Sequence, residues 1–124
     1  MKNKLEVQFV EEVLENFPAL IFRVNQYKRV DYYNKTFMDF MGDHIAEEIN
    51  DIIKNKVFFE EYKKVNEIFK DLFVLCNPFE IESRLENKYG EYRWMLINGK
   101  PIYTVEKKFC GYMVVAYDIN NYKE

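Results

Sequence analysis

The chain has 124 residues, of which 48% are apolar and 31% are charged, as is typical of a single globular domain. Its net charge of −3 offers no general electrostatic attraction for nucleic acid. The sequence contains no apolar run near the ~20 residues that a membrane-spanning helix needs, and its N-terminus lacks the apolar segment of a signal peptide. We therefore expect a cytoplasmic domain without a membrane segment.

The chain has two cysteines, Cys76 and Cys110, which are too few for a disulfide framework and lack the spacing of metal ligands. We expect two buried thiols in a reducing compartment and no metal site. A redox role for Cys110, which follows Lys107 and Lys108, is the alternative.

The first predicted element is an amphipathic helix over residues 6–17. Apolar residues recur there at spacings of three and four, while glutamates occupy the other faces. Pro18 ends the helix, because proline pushes the preceding residue out of the helical region. We expect residues 1–18 to form a cap and residues 19–124 to form the main domain. The apolar stripe needs a partner, either this domain or a second copy, and it comprises Phe9, Val10, Val13, Leu14 and Phe17.

Two short strands and several helices are predicted next. Alternation indicates strands over residues 19–25 and 29–33, joined as a hairpin. Asn34 suits the start of a helix over residues 35–41, since its side-chain oxygen can accept an unpaired amide of the first turn, and Gly42 suits the helix end. Residues 43–57 have helical spacing in one or two short pieces, and residues 59–76 form the longest helix.

The last third of the chain predicts three antiparallel strands, over residues 79–86, 91–104 and 109–118. Apolar and polar residues alternate in the first strand, and Gly90 supplies a turn that tolerates positive φ. Together these elements predict an α+β fold, in which helices cover an antiparallel sheet.

The C-terminal third also contains short motifs, which are Glu82-x-Arg84, Gly90-Glu91-Tyr92-Arg93-Trp94, Gly99-Lys100-Pro101-Ile102 and Gly111-Tyr112-x-x-x-x-Tyr117-Asp118-Ile119. These motifs resemble the PAC motif of the PAS domain family. Residues 32–37 resemble the second strand and the following helix start of that family. The resemblance covers about residues 10–122.

The resemblance implies a five-stranded antiparallel sheet in the order 2-1-5-4-3, with helices on its concave face and the amphipathic helix at its N-terminus. It also implies a sensor and dimerisation module of a bacterial-type signalling protein, such as a sensor kinase, a cyclase or a regulator. Asp118 stands where the family passes the signal to a following helix, so we expect an output domain downstream.

Alternation and the resemblance together assign the strand residues to two faces. The inward face is the candidate pocket for a small apolar or aromatic ligand, and it comprises Phe22, Val24, Ile81, Ser83, Leu85, Met95, Ile97, Tyr112, Val114 and Ala116. Ser83 and the Tyr112 hydroxyl are its polar groups, and a fully packed core is the alternative.

The outward face is apolar as well, although an antiparallel sheet usually presents polar residues to water on one side. This outer set comprises Trp94, Leu96, Met113, Val115 and Tyr117. A contiguous apolar patch requires cover. We therefore expect a homodimer in which the N-terminal helix and the outer face meet, with an intramolecular lid as the alternative.

Residues that could support catalysis or hold a cofactor are scarce. The single histidine, His44, and the single serine, Ser83, lack the convergent partners of a catalytic triad. Haem-binding members of the resembled family hold iron through a histidine on the long helix, where this chain has none. Flavin-binding members use a cysteine near the start of that helix, whereas Cys76 lies at its end. We expect neither cofactor and no catalysis; a ligand-binding enzyme and a ligand-free adaptor are the alternatives.

Overall fold

A computed structural model describes residues 4–43 and 45–123. Five strands form one antiparallel sheet in the order β2-β1-β5-β4-β3. The elements in chain order are α1 (Lys4–Asn16), β1 (Leu20–Asn25), β2 (Val30–Tyr33), α2 (Lys35–Met41), α3 (Ile49–Lys56), α4 (Phe59–Leu75), β3 (Phe79–Glu86), β4 (Tyr92–Tyr103), β5 (Phe109–Asp118) and a 3₁₀ turn (Asn120–Tyr122). The predicted fold class, strand order and N-terminal helix are confirmed.

Within residues 43–57 a single short helix, α3, forms, as one of the two predicted alternatives, but it begins only at Ile49. The residues before it pair with the edge of β2 instead. Val30 N donates to Glu47 O at 2.7 Å, and Ile49 N donates to Lys28 O at 2.9 Å. Tertiary hydrogen bonds therefore replace the helical ones there. His44, which we expect to lack catalytic partners, lies outside the described residues.

The opposite edge of the sheet, strand β3, is also partly covered. Val57 forms a bridge with Leu85, and Phe58 N donates to Arg84 O at 3.1 Å. Both edges of the sheet are thus paired in part with irregular segments, which limits edge-to-edge association with other chains.

Asn34 joins three elements at one end of the sheet. Its Oδ1 accepts from Phe37 N and from Ile21 N, each at 3.0 Å. Its Nδ2 donates to Leu14 O and to Ala19 O, also at 3.0 Å. The predicted helix cap is confirmed, and the same fully buried side chain fixes the end of α1 and the start of β1.

Gly111 permits the close pairing of β1 with β5. It has a φ of 136°, and an added Cβ would collide with Val24 O on the neighbouring strand. Glycine is required because any side chain would separate these two central strands.

Candidate functional site: the two faces of the sheet

The inner face of the sheet packs against helices α2, α3 and α4. All ten residues of the predicted pocket are buried there, with at most 7% of each exposed. The same buried cluster contains Ile52, Ile53, Val65 and Phe69 from the helices. Alternation therefore assigned this face to the interior correctly, while its use as a ligand pocket stays a prediction.

Little free space remains in this inner layer. A cavity of about 30 Å³ lies between the helices and the sheet, where Phe22, Leu85, Ile97 and Ala116 line it from the strands. That volume accommodates about one water molecule, whereas ligand pockets usually measure about 300–1,000 Å³. In this conformation the inner layer is close to a filled core.

The polar groups of the inner face are already bonded to the backbone. The Tyr112 hydroxyl lies 2.8 Å from Leu72 O and 2.9 Å from Asn77 O, so it caps the C-terminal end of α4. Burial raises the pKa of Tyr112 to about 12. Ser83 Oγ donates to Arg84 O at 3.3 Å. A ligand that used either group would have to displace these carbonyl partners.

Aromatic rings fill the space around Tyr112. Its ring centroid lies 5.4 Å from that of Phe109, 5.6 Å from that of Phe73 and 5.8 Å from that of Phe79, all edge to face. Such arrangements are favourable for ring pairs and leave little room between them. The high aromatic content of the sequence thus contributes directly to this packing.

The outer face remains partly exposed. Trp94, Leu96, Met113 and Val115 are half-buried, and Tyr117 is 40% exposed. These side chains come from the neighbouring strands β4 and β5, where Leu96 pairs with Tyr117, and we call them the outer patch. Asn98 and Lys100 lie opposite Val115 and Met113 and border the patch.

Helix α1 does not bury its apolar stripe, since none of its residues is buried. Phe9 is 66% exposed, and Val10 and Val13 are each 45% exposed. Leu14 and Phe17 are half-buried at the end that Asn34 holds. A second hydrogen bond at this end runs from Thr36 Oγ1 to Phe17 O at 2.6 Å.

The position of α1 also affects the charge environment of β2. Burial and the neighbouring carboxylates of Glu15 and Glu11 raise the pKa of Tyr32. Because these glutamates belong to α1 and Tyr32 to β2, the helix runs on the β2 side of the molecule.

The predicted exit at Asp118 is tied to strand β4. Arg93 Nε donates to Asp118 Oδ2 at 2.8 Å, and Asn120 N donates to Asp118 Oδ1 at 2.9 Å. The chain then returns to Trp94, whose carbonyl accepts from Ile119 N at 2.9 Å and whose amide donates to Asn120 Oδ1 at 3.0 Å. The C-terminal segment is therefore fixed beside the outer patch.

Sequence reasoning missed a cluster around Arg84 on the outer side of β3. Arg84 Nε and Nη2 bind the Glu61 carboxylate at 2.9 and 2.6 Å, and Nη2 also binds Glu60 at 2.9 Å. The guanidinium lies 4.0 Å from the ring centroid of Phe58 and 4.8 Å from that of Trp94. The hydrogen bonds from Arg84 lower the pKa of Glu61.

A second cation, the ammonium of Lys123, lies over the Trp94 ring. Lys123 Nζ lies 4.8 Å from the Trp94 ring centroid and 3.0 Å from Glu82 Oε2. The motif contained Glu82, Arg84 and Trp94, but their partners Glu61 and Lys123 lie far away in sequence. Only the packing of α4 and the C-terminal segment brings them together.

Residues 4–43 and 45–123 contain neither a cluster of metal ligands nor a membrane-spanning helix. In that part of the chain, no group of three or more His, Cys, Asp or Glu side chains is arranged to hold a metal ion. None of the described helices is long and apolar enough to cross a membrane.

The family model described as the PAS fold matches residues 8–119 of this chain. The chain belongs to the PAS family. The predicted family is thus confirmed, and the match includes most of α1 as well as the whole sheet.

A curated relative of this PAS domain is similar at low sequence identity. An uncharacterized protein, y4lL, of Sinorhizobium fredii (strain NBRC 101917 / NGR234) is 22% identical over 107 residues, which are 86% of this chain and 13% of the relative. This PAS domain therefore spans only a small part of that curated relative.

Two solved structures show the same fold. The PAS domain of a protein from Colwellia psychrerythraea is 14% identical, with a TM-score of 0.73 over 94% of this chain and 98% of that one. The N-terminal domain of a diguanylate cyclase with a PAS/PAC sensor from Marinobacter aquaeolei is 16% identical, with a TM-score of 0.71 over 86% and 99%.

Proposed function

We propose that this PAS domain is a non-catalytic dimerisation and relay module of a bacterial-type signalling protein, such as a sensor kinase, a cyclase or a regulator. The observation that carries the proposal is the exposure of two apolar surfaces, the outer patch and the α1 stripe. Large apolar patches on a folded protein usually mark an interaction site. The free thiols of Cys76 and Cys110 are compatible with a cytoplasmic location.

In the proposed homodimer, α1 of each copy lies against the outer patch of its partner. A two-fold axis satisfies both surfaces at once, because the same pair of contacts occurs twice. Residues 1–18 then act as an exchanged cap on the domain over residues 19–124. Val10 and Val13 would lose the exposure that they have in the single chain.

Contacts at the outer patch support a route to a downstream output domain. Trp94 lies in the patch and also bonds the backbone that follows Asp118. A shift in the partner helix would therefore act on the exit segment through one residue. Such a signal is limited to the difference in free energy between the two dimer arrangements.

The small inner cavity favours regulation by protein contacts over a permanently bound ligand. A small apolar or aromatic ligand would have to displace side chains around the 30 Å³ cavity. Native mass spectrometry of the purified chain tests this part of the proposal. A retained mass would show that the inner layer opens to hold a ligand, and we expect none.

Dimerisation is tested by sedimentation equilibrium of the wild type and of Val13→Glu. Val13 is 45% exposed in the single chain, so the substitution should leave the fold intact. We expect the wild type to dimerise and Val13→Glu to weaken association at least tenfold, because a carboxylate would enter an apolar contact.

Val74→Glu serves as the matched control, since Val74 is an exposed helical valine on α4, away from both surfaces. Circular dichroism checks the fold of each variant. A wild type that stays monomeric at high micromolar concentration would refute the dimer, and equal weakening by both variants would refute the assigned surface.

A further inference from the structure

The end of the sheet opposite Asp118 presents an exposed surface that the proposed function does not use. We call it the tip surface, and it consists of residues 26–29 in the β1–β2 turn, 73–76 at the C-terminal end of α4 and 103–108 from the last residue of β4 through the β4–β5 turn. Strand pairing brings the two turns to the same end, because Asn25 at the end of β1 pairs with Gly111 near the start of β5.

Ring contacts and a hydrogen bond join the three segments of the tip surface. Lys28 Nζ lies 5.6 Å from the ring centroid of Phe73, and that ring lies 6.0 Å from Phe109. Phe109 in turn lies 6.2 Å from the ring of Tyr103, whose hydroxyl is 3.5 Å from Cys76 O. The surface is therefore continuous from the β1–β2 turn to the end of α4.

Large apolar side chains extend from this surface into solvent. Val105 is fully exposed in the β4–β5 turn, and Val74 is 79% exposed. Tyr27, Leu75 and Tyr103 are exposed as well. Isolated apolar side chains on a surface are ordinary, but five in three adjoining segments form a patch.

The tip surface is basic, although the whole chain has a net charge of −3. Its acidic member is Glu106, against the cations of Lys28, Arg29, Lys107 and Lys108. Arg29 pairs with two carboxylates, Glu47 at 2.8 Å and Glu48 at 3.6 Å, and so adds little positive charge. The three lysines form no ion pair within residues 4–43 and 45–123, and they carry the positive charge of the surface.

The backbone holds two of these lysines in an unfavourable conformation. Lys28 has a φ of 66° and Lys107 a φ of 65°, and both are positions where glycine or asparagine would be less strained. A strained position that nevertheless carries a charged side chain is compatible with a role for that side chain.

We propose that the tip surface docks on an anionic lipid bilayer. In the docked state Val105 enters the interfacial region, the tyrosines lie at the level of the headgroups and the lysines contact lipid phosphates. Apolar and tyrosine side chains ringed by lysine are typical of peripheral membrane anchors.

A fluid bilayer fits this surface better than the other anionic partners. The Val105 turn protrudes, and a bilayer accepts a protruding side chain without a matching pocket. Nucleic acid would pair with the lysines and tyrosines, but it offers no partner for Val74, Leu75 and Val105. Docking at this end also leaves Asp118, α1 and the outer patch free, since they lie elsewhere on the domain.

The test is flotation of the full chain with vesicles of phosphatidylcholine alone or of equimolar phosphatidylcholine and phosphatidylglycerol. We expect binding to the anionic vesicles, little binding to the neutral ones and weaker binding at high salt. The variant Lys107→Gln/Lys108→Gln should lower the partition coefficient by about fivefold for each lysine. Val105→Asp should lower it by about tenfold or more.

Matched controls are Lys63→Gln/Lys64→Gln, an exposed lysine pair in the first half of α4, and Tyr89→Asp, an exposed residue of the β3–β4 turn at the other end of the sheet. Circular dichroism checks that every variant is folded. Failure to bind anionic vesicles would overturn the proposal, as would equal losses in the tip and control variants. Binding to single-stranded RNA or to an acidic peptide instead of vesicles would assign the surface to that partner and also overturn it.

Discussion

The two faces of the sheet carry similar apolar residues, yet they have different surroundings. Val114 and Val115 are neighbours on β5, and the first is fully buried under the helices while the second is half-buried on the outer patch. The inner face derives its stability from packing within one chain. The outer face keeps apolar area that is only partly buried within the described chain. Residue type alone therefore does not determine which face is the core.

The largest expected effect contrasts Met95→Ala with Leu96→Ala on β4. Met95 is fully buried, so its truncation should lower the free energy of unfolding by about 3 kcal/mol through lost contacts and a cavity. Leu96 is half-buried on the outer face, so its truncation should lower the free energy of unfolding by only about 1 kcal/mol. Urea unfolding of both variants at low protein concentration measures the difference. Equal losses would mean that the outer face is as much a core as the inner face.

A smaller effect is expected from Tyr112→Phe, which removes the hydroxyl near Leu72 O and Asn77 O. We expect a loss of about 1.5 kcal/mol in the free energy of unfolding near neutral pH, because buried carbonyls lose a hydrogen-bond donor. Urea unfolding measures this loss. An unchanged free energy of unfolding would show that the ring of Tyr112, and not its hydroxyl, stabilises the fold.

The stability of Tyr112→Phe should also depend on alkaline pH differently from that of the wild type. The pKa of Tyr112 is raised from 10.0 to about 12, so the unfolded chain ionises first and the folded chain loses stability as the pH rises between these values. Tyr112→Phe lacks this loss. The stability gap between wild type and variant should therefore shrink above pH 10, and a gap independent of pH would contradict the assignment.

The ion pair between Glu61 and Arg84 should contribute less to the free energy of unfolding than the Tyr112 hydroxyl does. The pKa of Glu61 is lowered by Arg84, so the associated stability is present above the ordinary glutamate pKa of 4.5 and disappears as the pH falls through the lower folded value. Glu61→Gln should reduce the loss of stability on acidification. Acid titrations followed by circular dichroism measure it, with the exposed Glu67→Gln on the same helix as control. Identical curves for wild type and Glu61→Gln would rule out the pair.

The smallest effect on monomer stability should follow removal of residues 1–13. Because α1 buries none of its residues, and Leu14 and Phe17 with their bonds to Asn34 and Thr36 remain, we expect a loss below about 1 kcal/mol. The same truncation should abolish the proposed dimer. Urea unfolding and sedimentation measure the two outcomes. A loss of several kcal/mol would place α1 within the domain core instead.

Local patterns in the sequence predicted most of the fold. The period of two in the strands separated Val114 from Val115, and the cap at Asn34 marked the start of α2. Pro18 and the spacing of apolar residues predicted α1 to within two residues. Such features depend on neighbours in the chain, and for this reason they can be read without a structure.

Contacts between distant segments were decided only by the tertiary structure. The pairing of residues 47–49 with the β2 side replaced part of a predicted helix, and Arg84 met Glu61, 23 residues away. The free volume of the inner layer is likewise a small difference between the space that the backbone encloses and the side chains from several elements that fill it. The sequence therefore determined which residues face inward, while tertiary packing decided that they leave a cavity of about 30 Å³ and that α1 stays uncovered.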